Sequence, residues 1–402
     1  MERSELMAIA LAGEDSRHQF KRIVTNADAL AAEMAAFLNS DGGTIFVGLE
    51  DKIGEARPLN AEEVARVNQL ISNAATNNIK PAFDPVVENV MIDGGVVMCV
   101  KIPKGIVKPY MTNDGVVWVK VGADKRRVTA KEELLRMFQE TGALHGDEMP
   151  VPNTSIADFD IKYFKEVFET LTDVPLASQQ LGLTQLLINM NLFRDEEISV
   201  AGMVLFGNES IRYKFPRAAV KVAAFDGIDE TVDSYLARSE FAGKISDVYQ
   251  SSISFCMGQV SRLQKGMSVN SVGVPEIPHI VFQELVTNAL VHRDFMVNDT
   301  VKIMFFRDRV DIVSPGHLPN SLTVANILSG NSCARNSVLL SYATRLLQFS
   351  GFGSGIRRAL KAYPAIDFID ERDKNRFVAR IKRRQSSDPP QHHFEERTVI
   401  VG

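Results

Sequence analysis

Glu284 and Asn288 stand four residues apart in Gln283-Glu-Leu-Val-Thr-Asn-Ala-Leu-Val-His-Arg-Asp-Phe295. On a helix that spacing stacks them one turn apart, and His292 extends the row by another turn. An acid and an amide so placed suit hydrolysis of a nucleoside triphosphate. The amide offers a neutral oxygen to an octahedral Mg²⁺, and the carboxylate can accept a proton from water aimed at the terminal phosphate. Two polar residues on one side of a helix are, equally, an ordinary solvated face. Phe282, Leu285, Val286, Ala289 and Leu290 share the other side and predict a core-facing stripe. Pro278 suits the first helical turn, where its missing N–H costs nothing.

Two further signals follow in order. Val310-Asp-Ile-Val-Ser-Pro-Gly-His-Leu-Pro319 reads as a strand breaking into a turn, and Gly351-Phe-Gly-Ser-Gly355 as a glycine cluster opening a basic helix. Glycines let backbone N–H groups approach phosphates closely. Arg335, Arg357 and Arg358 can meet phosphates; the alternative is that Arg335 caps a helix and the other two lie on a wet face. The order of the three signals resembles the ATP-binding fold shared by type II topoisomerases, the Hsp90 chaperones and histidine kinases. That resemblance implies ATP and Mg²⁺ as cofactors, with Glu284 as catalytic residue and Asn288 as metal ligand. It implies cofactor contacts from Asn288, His292, Ser314, Gly316, Arg335, Gly351, Gly353 and Gly355. In the larger family an Asp near the end of the strand binds the adenine amine. Here Ser314 stands in that place, and its hydroxyl gives up the charge-assisted contact.

The elements that would position these residues fall into two bodies. A chain of 402 residues, 45% hydrophobic, can bury two or three cores. Its net charge of −5 excludes a chain-wide basic nucleic-acid binder. Cys99, Cys256 and Cys333 are far apart and odd in number, which fits a reducing cytoplasm. No apolar run approaches the roughly 18 residues of a membrane span, and the N-terminus gives no secretory signal. Residues 1–145 read as α+β: a helix through Ala29–Leu38 stopped by Asn39-Ser-Asp-Gly-Gly43, a strand from Thr44, and a helix through Ala61–Ala75. A hairpin turning at Asp93-Gly-Gly95 follows, then a strand from Val116 and a helix from Ala130. Residues 146–155, with Gly146, Pro150 and Pro152, read as a linker. The second body, 156–385, is expected to hold helices over Asp160–Leu171 and Thr184–Met190, strands over Val200–Phe206 and Val220–Phe225, and a long helical insert from Thr231 to Leu263. Residues 386–402 read as a polar, flexible tail, whose Arg397–Val401 could pair with a sheet edge or a neighbouring subunit.

The first body resembles a Schlafen AlbA-type domain. The residues that carry this are Gly13-Glu-Asp-Ser-Arg-His-Gln-Phe-Lys21, Phe37-Leu-Asn-Ser-Asp-Gly-Gly-Thr-Ile-Phe-Val-Gly-Leu-Glu-Asp51 and Val119-Lys-Val-Gly122. In prokaryotes such a domain is often joined to a reduced ATP-binding domain, to which Val204-Leu-Phe-Gly207, Asn288-Ala-Leu-Val-His-Arg-Asp294 and Gly353-Ser-Gly-Ile-Arg357 are similar. The implied architecture is α+β: the AlbA-type domain, then a GHKL-like (Hsp90/histidine-kinase-type) α/β sandwich. The resemblance implies nucleic-acid contact, for which Lys21, Arg22, Lys120, Lys125, Arg126 and Arg127 are the candidates; the alternative for such a run is a solvated surface. Some relatives cleave RNA with acidic residues. Glu14 matches the first acid of that pattern and Asp51 is a candidate partner after the Gly-Gly strand, but Gln19 replaces the usual Glu and cannot supply the charge that two-metal cleavage demands. His292-Arg-Asp294 lacks the companions of a kinase catalytic loop, and no Gly-x-x-x-x-Gly-Lys-Ser/Thr phosphate loop or helicase motor motif occurs. The expected function is nucleotide-dependent modulation of nucleic-acid binding, with at most weak ATPase activity, in a cytoplasmic homo-oligomer with a transcription-regulator-like or phage-defence role. The competing readings are a metal-dependent nuclease and an oligomeric scaffold with a degenerate ATP site.

Overall fold

The amide oxygen of Asn26 accepts the N–H groups of Asp28 and Ala29 and so starts the helix Ala27–Asn39. This helix organises the first of two compact units, Met1–Leu144 and His145–Gly402, in a computed structural model. The structure describes residues 1–50, 55–142, 144–229, 235–263, 273–319, 322–347 and 353–383. Asp51, Gly351 and the tail 386–402 lie outside these. Among the described residues no helix is long and apolar enough to cross a membrane.

In the first unit a four-stranded sheet runs in the order His18–Lys21, Gly43–Val47, Gly95–Ile102, Val86–Ile92. The first pair is parallel, with the helix Ala27–Asn39 as its crossover, and the rest are antiparallel. Side chains alternate between two cores, as strand geometry requires. Ile45 and Val47 pack with Leu30, Met34 and Phe37, while Phe46 joins Phe20, Leu6 and Val97. The hairpin expected at Asp93-Gly-Gly95 forms, with Ile92 paired to Gly95. The helix stops at the expected place, and its last residue does more than stop it. Asn39 Nδ2 donates to the carbonyls of Tyr110 and Trp118, and Asn39 Oδ1 accepts the Tyr110 N–H. Ser40 Oγ accepts the Lys120 N–H. The hairpin Trp118–Val121 with Asp124–Arg127 is thereby tied to the helix end.

The second unit is built on a six-stranded sheet in the order Tyr235–Phe241, Val220–Phe225, Val301–Phe305, Arg309–Pro315, Arg376–Lys382, Ile366–Glu371. Only Val220–Phe225 and Val301–Phe305 pair in parallel. The helices Ile245–Gln259 and His279–Val291 pack on each other and on this sheet, giving the α+β architecture expected. Helices at Ile161–Thr172 and Leu183–Asn189 match expectation.

Two elements differ. Val200–Phe206 is a helix, not a strand: Ser199 Oγ accepts the Gly202 N–H as its cap, and every residue in it is buried. The long insert helix is instead the edge strand Tyr235–Phe241, antiparallel to Val220–Phe225, and a helix that begins only at Ile245. Between them Gly243 takes φ +146°, incompatible with a continuous helix.

The segment read as a linker packs into the second unit. Asp147 within it is fully buried, its Oδ2 accepting the Leu339 N–H at 2.8 Å and its Oδ1 without a partner. Burial pushes this carboxyl up to about 6. The folded protein therefore holds the proton more tightly than the unfolded chain, so the group favours folding most below pH 4 and loses that contribution as pH rises through 6. Asp147→Asn should remove this dependence. Wild type is expected to gain about 1 kcal/mol on the variant between pH 8 and pH 5, read from denaturant melts. A constant difference across that range would contradict the burial account.

Candidate functional site

In the second unit the helix His279–Val291 is buried on more than its apolar stripe. Phe282, Leu285, Val286, Ala289 and Leu290 are in the core as expected, but Glu284 is buried too, at 5% exposure. Asn288 and His292 are half-buried. Glu284 and Asn288 of the polar row lie against Gly355 at the start of the helix Gly355–Ala362, which packs on the helix His279–Val291.

Glu284 Oε1 lies 2.7 Å from Arg358 Nη2, and Oε2 is buried with no partner. Burial raises the Glu284 carboxyl, and the neighbouring Arg358 opposes that shift. A Cβ at Gly355 would come within 2.5 Å of Oε2, so any larger residue there would have to push the Glu284 carboxylate aside. Beside them is a cavity of about 330 Å³. Its walls are largely apolar, from Ile312, Ile327, Leu340, Phe368 and Phe377, with Asn288, His292 and Ser314 as polar points and Gly316, Gly353 and Gly355 at its surface. Glu284 stands behind Gly355 and is not part of the wall.

Several predicted site residues already have partners. Ser314 Oγ donates to the Ala289 carbonyl at 3.1 Å, joining the strand Arg309–Pro315 to the helix. Arg335 Nη1 donates to the His292 carbonyl and Nη2 to that of His317, so two of its donors hold loops rather than await a phosphate. Gly316 adopts φ +93°, and a Cβ there would meet Asp294 at 2.5 Å and Arg335 at 2.6 Å. Gly353 adopts φ +66° against the Gly330 carbonyl. Burial, with the Arg335 charge adding to it, lowers the His292 imidazole to about 4, so it is neutral at physiological pH.

The donor set fits a nucleotide: an apolar slot for a flat base, a few polar points, and glycines where phosphates need close backbone approach. For Mg²⁺ the protein offers Asn288 Oδ1. Among the described residues no group of three His, Cys, Asp or Glu could hold a metal, so a cation there would share phosphate oxygens, as Mg²⁺ commonly does.

In the first unit Glu14, Gln19, Lys21 and Lys125 are brought together around a second cavity, of about 430 Å³. Gln19 bridges: its Nε2 donates to Glu14 Oε1 at 2.5 Å and its Oε1 accepts from Lys120 Nζ at 2.7 Å. Glu14 Oε1 also accepts the Phe20 N–H. An ammonium therefore stands beside the amide that replaces the family's acid, an arrangement hostile to a divalent cation. Burial lowers the Lys120 ammonium, and Glu33 and Glu14 pull the other way. Lys21 is half-buried and Arg22 exposed. Arg126 pairs with Glu133 through both terminal nitrogens, at 3.0 and 2.7 Å. Arg127 lies over the Trp118 ring, 5.1 Å from its centroid.

Residues 14–129 match the family model described as "Schlafen, AlbA_2", and residues 298–378 the one described as "Putative ATP-dependent DNA helicase recG C-terminal". The chain joins a Schlafen AlbA_2 domain to a RecG C-terminal-type domain. Among solved structures it is similar to the DIP2311 protein from Corynebacterium diphtheriae, with 21% identity over 94% of this chain and 80% of that one, at a TM-score of 0.43. It is also similar to the N-terminal domain of a RecG-related protein from Nitrosomonas europaea, with 19% identity over 32% of this chain and 91% of that one, at a TM-score of 0.25. No curated protein matches the chain.

The AlbA_2 match begins at Glu14 and takes in all six candidate cations. The RecG-type match takes in Ser314, Gly316, Arg335, Gly353 and Gly355, while Glu284 and Asn288 precede it. Sequence reasoning missed four residues of the AlbA_2 cavity, Glu33, Trp118, Ala123 and Asp124. Glu33 carried a usable signal: it is the one charged residue inside the run Ala29-Leu-Ala-Ala-Glu-Met-Ala-Ala-Phe37, and a lone acid in a buried helix needs a reason.

Proposed function

We propose that the chain is an ATP-binding protein that contacts nucleic acid through its AlbA_2 domain as a homo-oligomer, with nucleotide occupancy of the RecG-type domain altering that contact. The observation that carries this reading is the apolar cavity of about 330 Å³ edged by Asn288 and three glycines, in a domain of the RecG C-terminal type. The Glu284–Arg358 pair favours binding over rapid turnover, because a carboxylate held by an arginine is a poor base for water. Hydrolysis would first require that pair to open. The transcription-regulator-like or phage-defence role rests on resemblance alone.

The test is calorimetric titration of Mg²⁺–ATP into wild type and Asn288→Ala. Wild type is expected to bind with a Kd of order 10 µM, and the variant at least about tenfold more weakly. No heat in wild type, with a melting temperature unmoved by millimolar ATP, would overturn the reading. A nucleic-acid titration with and without ATP then tests the coupling, which must be reciprocal if present.

A further inference from the structure

The AlbA_2 cavity contains a group that neither nucleotide binding nor a solvated cationic surface explains. Glu33 lies mid-helix at 9% exposure. Its Oε1 pairs with Lys125 Nζ at 2.6 Å, while its Oε2 is buried without a partner, and the residue is part of the cavity lining. A buried carboxylate oxygen left unpaired is costly, and a ligand N–H placed there would remove that cost.

The surroundings narrow the ligand. A metal ion is disfavoured by the Lys125 and Lys120 ammonium groups on either side, and by Gln19 occupying Glu14 Oε1. A simple anion is disfavoured by Glu33 itself. What remains is a ligand with N–H donors at one end and negative charge at the other. Trp118, half-buried on the cavity rim, adds an aromatic surface, with Lys125 and Arg127 over its ring at 5.6 and 5.1 Å. Stacking on indole, an N–H donor for a carboxylate, and cations for a phosphate together describe one nucleotide unit of a single strand.

We propose that this pocket receives one unstacked base that bears an amino group, with its amino N–H on Glu33 Oε2 and its ring beside Trp118. Cytosine, adenine and guanine present such a donor. Thymine and uracil present carbonyl oxygens on both sides of their single N–H, which the carboxylate repels. The proposal deepens the nucleic-acid reading above and rests on it.

Trp118 is the chain's only tryptophan, so its fluorescence reports this pocket and nothing else. The full-length protein would be titrated with end-labelled oligo-dC, oligo-dA and oligo-dT, and with oligo-C and oligo-U, reading label anisotropy for binding and tryptophan emission for stacking. The expected result is about tenfold tighter binding of the amino-bearing homopolymers than of dT or U, with quenched emission. The deoxy and ribo arms show which sugar is preferred. Glu33→Gln, whose amide can turn either an acceptor or a donor to the base, should shrink the preference to within about twofold. Should that variant melt early, the dC-against-dT comparison in wild type decides by itself. Oligomers that bind without base preference or quenching would overturn the pocket and leave nucleic-acid binding standing. Unchanged anisotropy with every oligomer would overturn nucleic-acid binding, and the pocket with it.

Discussion

Replacing Gly42 by alanine is expected to remove about 4 kcal/mol from the stability of the AlbA_2 unit. Two independent costs meet at this residue. Its φ of +74° is left-handed, worth about 1–2 kcal/mol against any residue with a Cβ. A Cβ there would also sit 2.7 Å from Lys104 N, 2.8 Å from Ile102 O and 2.9 Å from Pro103 C. All three are main-chain atoms, so nothing can rotate away, and overpacking of this kind adds about 1–3 kcal/mol. Gly42 is also where the helix ends, its N–H bonded to the Phe37 carbonyl at 3.0 Å. Gly115 is the control: its φ is +75°, yet no atom lies within 4 Å of its would-be Cβ. Gly115→Ala should cost only about 1 kcal/mol. Urea melts of both variants separate the terms. Equal losses would refute the crowding argument.

Arg358→Ala is expected to cost about 2 kcal/mol at pH 8 and much less at pH 5. Deleting one partner of a buried ion pair costs roughly 3–5 kcal/mol, and the figure is reduced here because the Arg358 side chain is 42% exposed. The loss arises on the other partner, since Glu284 would keep its charge in a buried site with one oxygen already unpaired. Burial already raises the Glu284 carboxyl while Arg358 restrains it. Without Arg358 it rises further, so the deficit is full at high pH and fades as the carboxyl takes up a proton. Melting temperatures at the two pH values read this out, at about 2–4 °C per kcal/mol for a unit of this size. Adding Glu284→Gln should recover most of the loss at pH 8. A deficit that ignores both pH and the second substitution would show that Arg358 acts by packing alone.

Local chemistry was legible in the chain wherever one residue type permits one conformation. Asn39-Ser-Asp-Gly-Gly43 reads as a helix stop because only glycine tolerates the turn, and Asp93-Gly-Gly95 reads as a hairpin for the same reason. The row Glu284–Asn288–His292 follows from helical spacing alone. Val200–Phe206 did not yield, because seven apolar residues carry no phase with which to tell a helix from a strand. The stretch from Tyr235 to Gln259 contains a strand, a Gly243 turn and a helix, and its serines and charges fit either period. Pairings made across the fold were invisible. Nothing near Arg358 in the chain names Glu284, and nothing near Lys125 names Glu33.

The hydroxyl of Ser314 and the guanidinium of Arg335 bear on how tightly the larger cavity can hold a ligand. Ser314 fixes the strand to the Ala289 turn, and Arg335 fixes the loops at His292 and His317. Those walls are therefore rigid before anything enters, so a ligand there does not have to freeze them. Binding that avoids such ordering keeps more of its contact energy as affinity. It also makes the slot selective by shape, since a rigid wall rejects what does not fit instead of yielding to it.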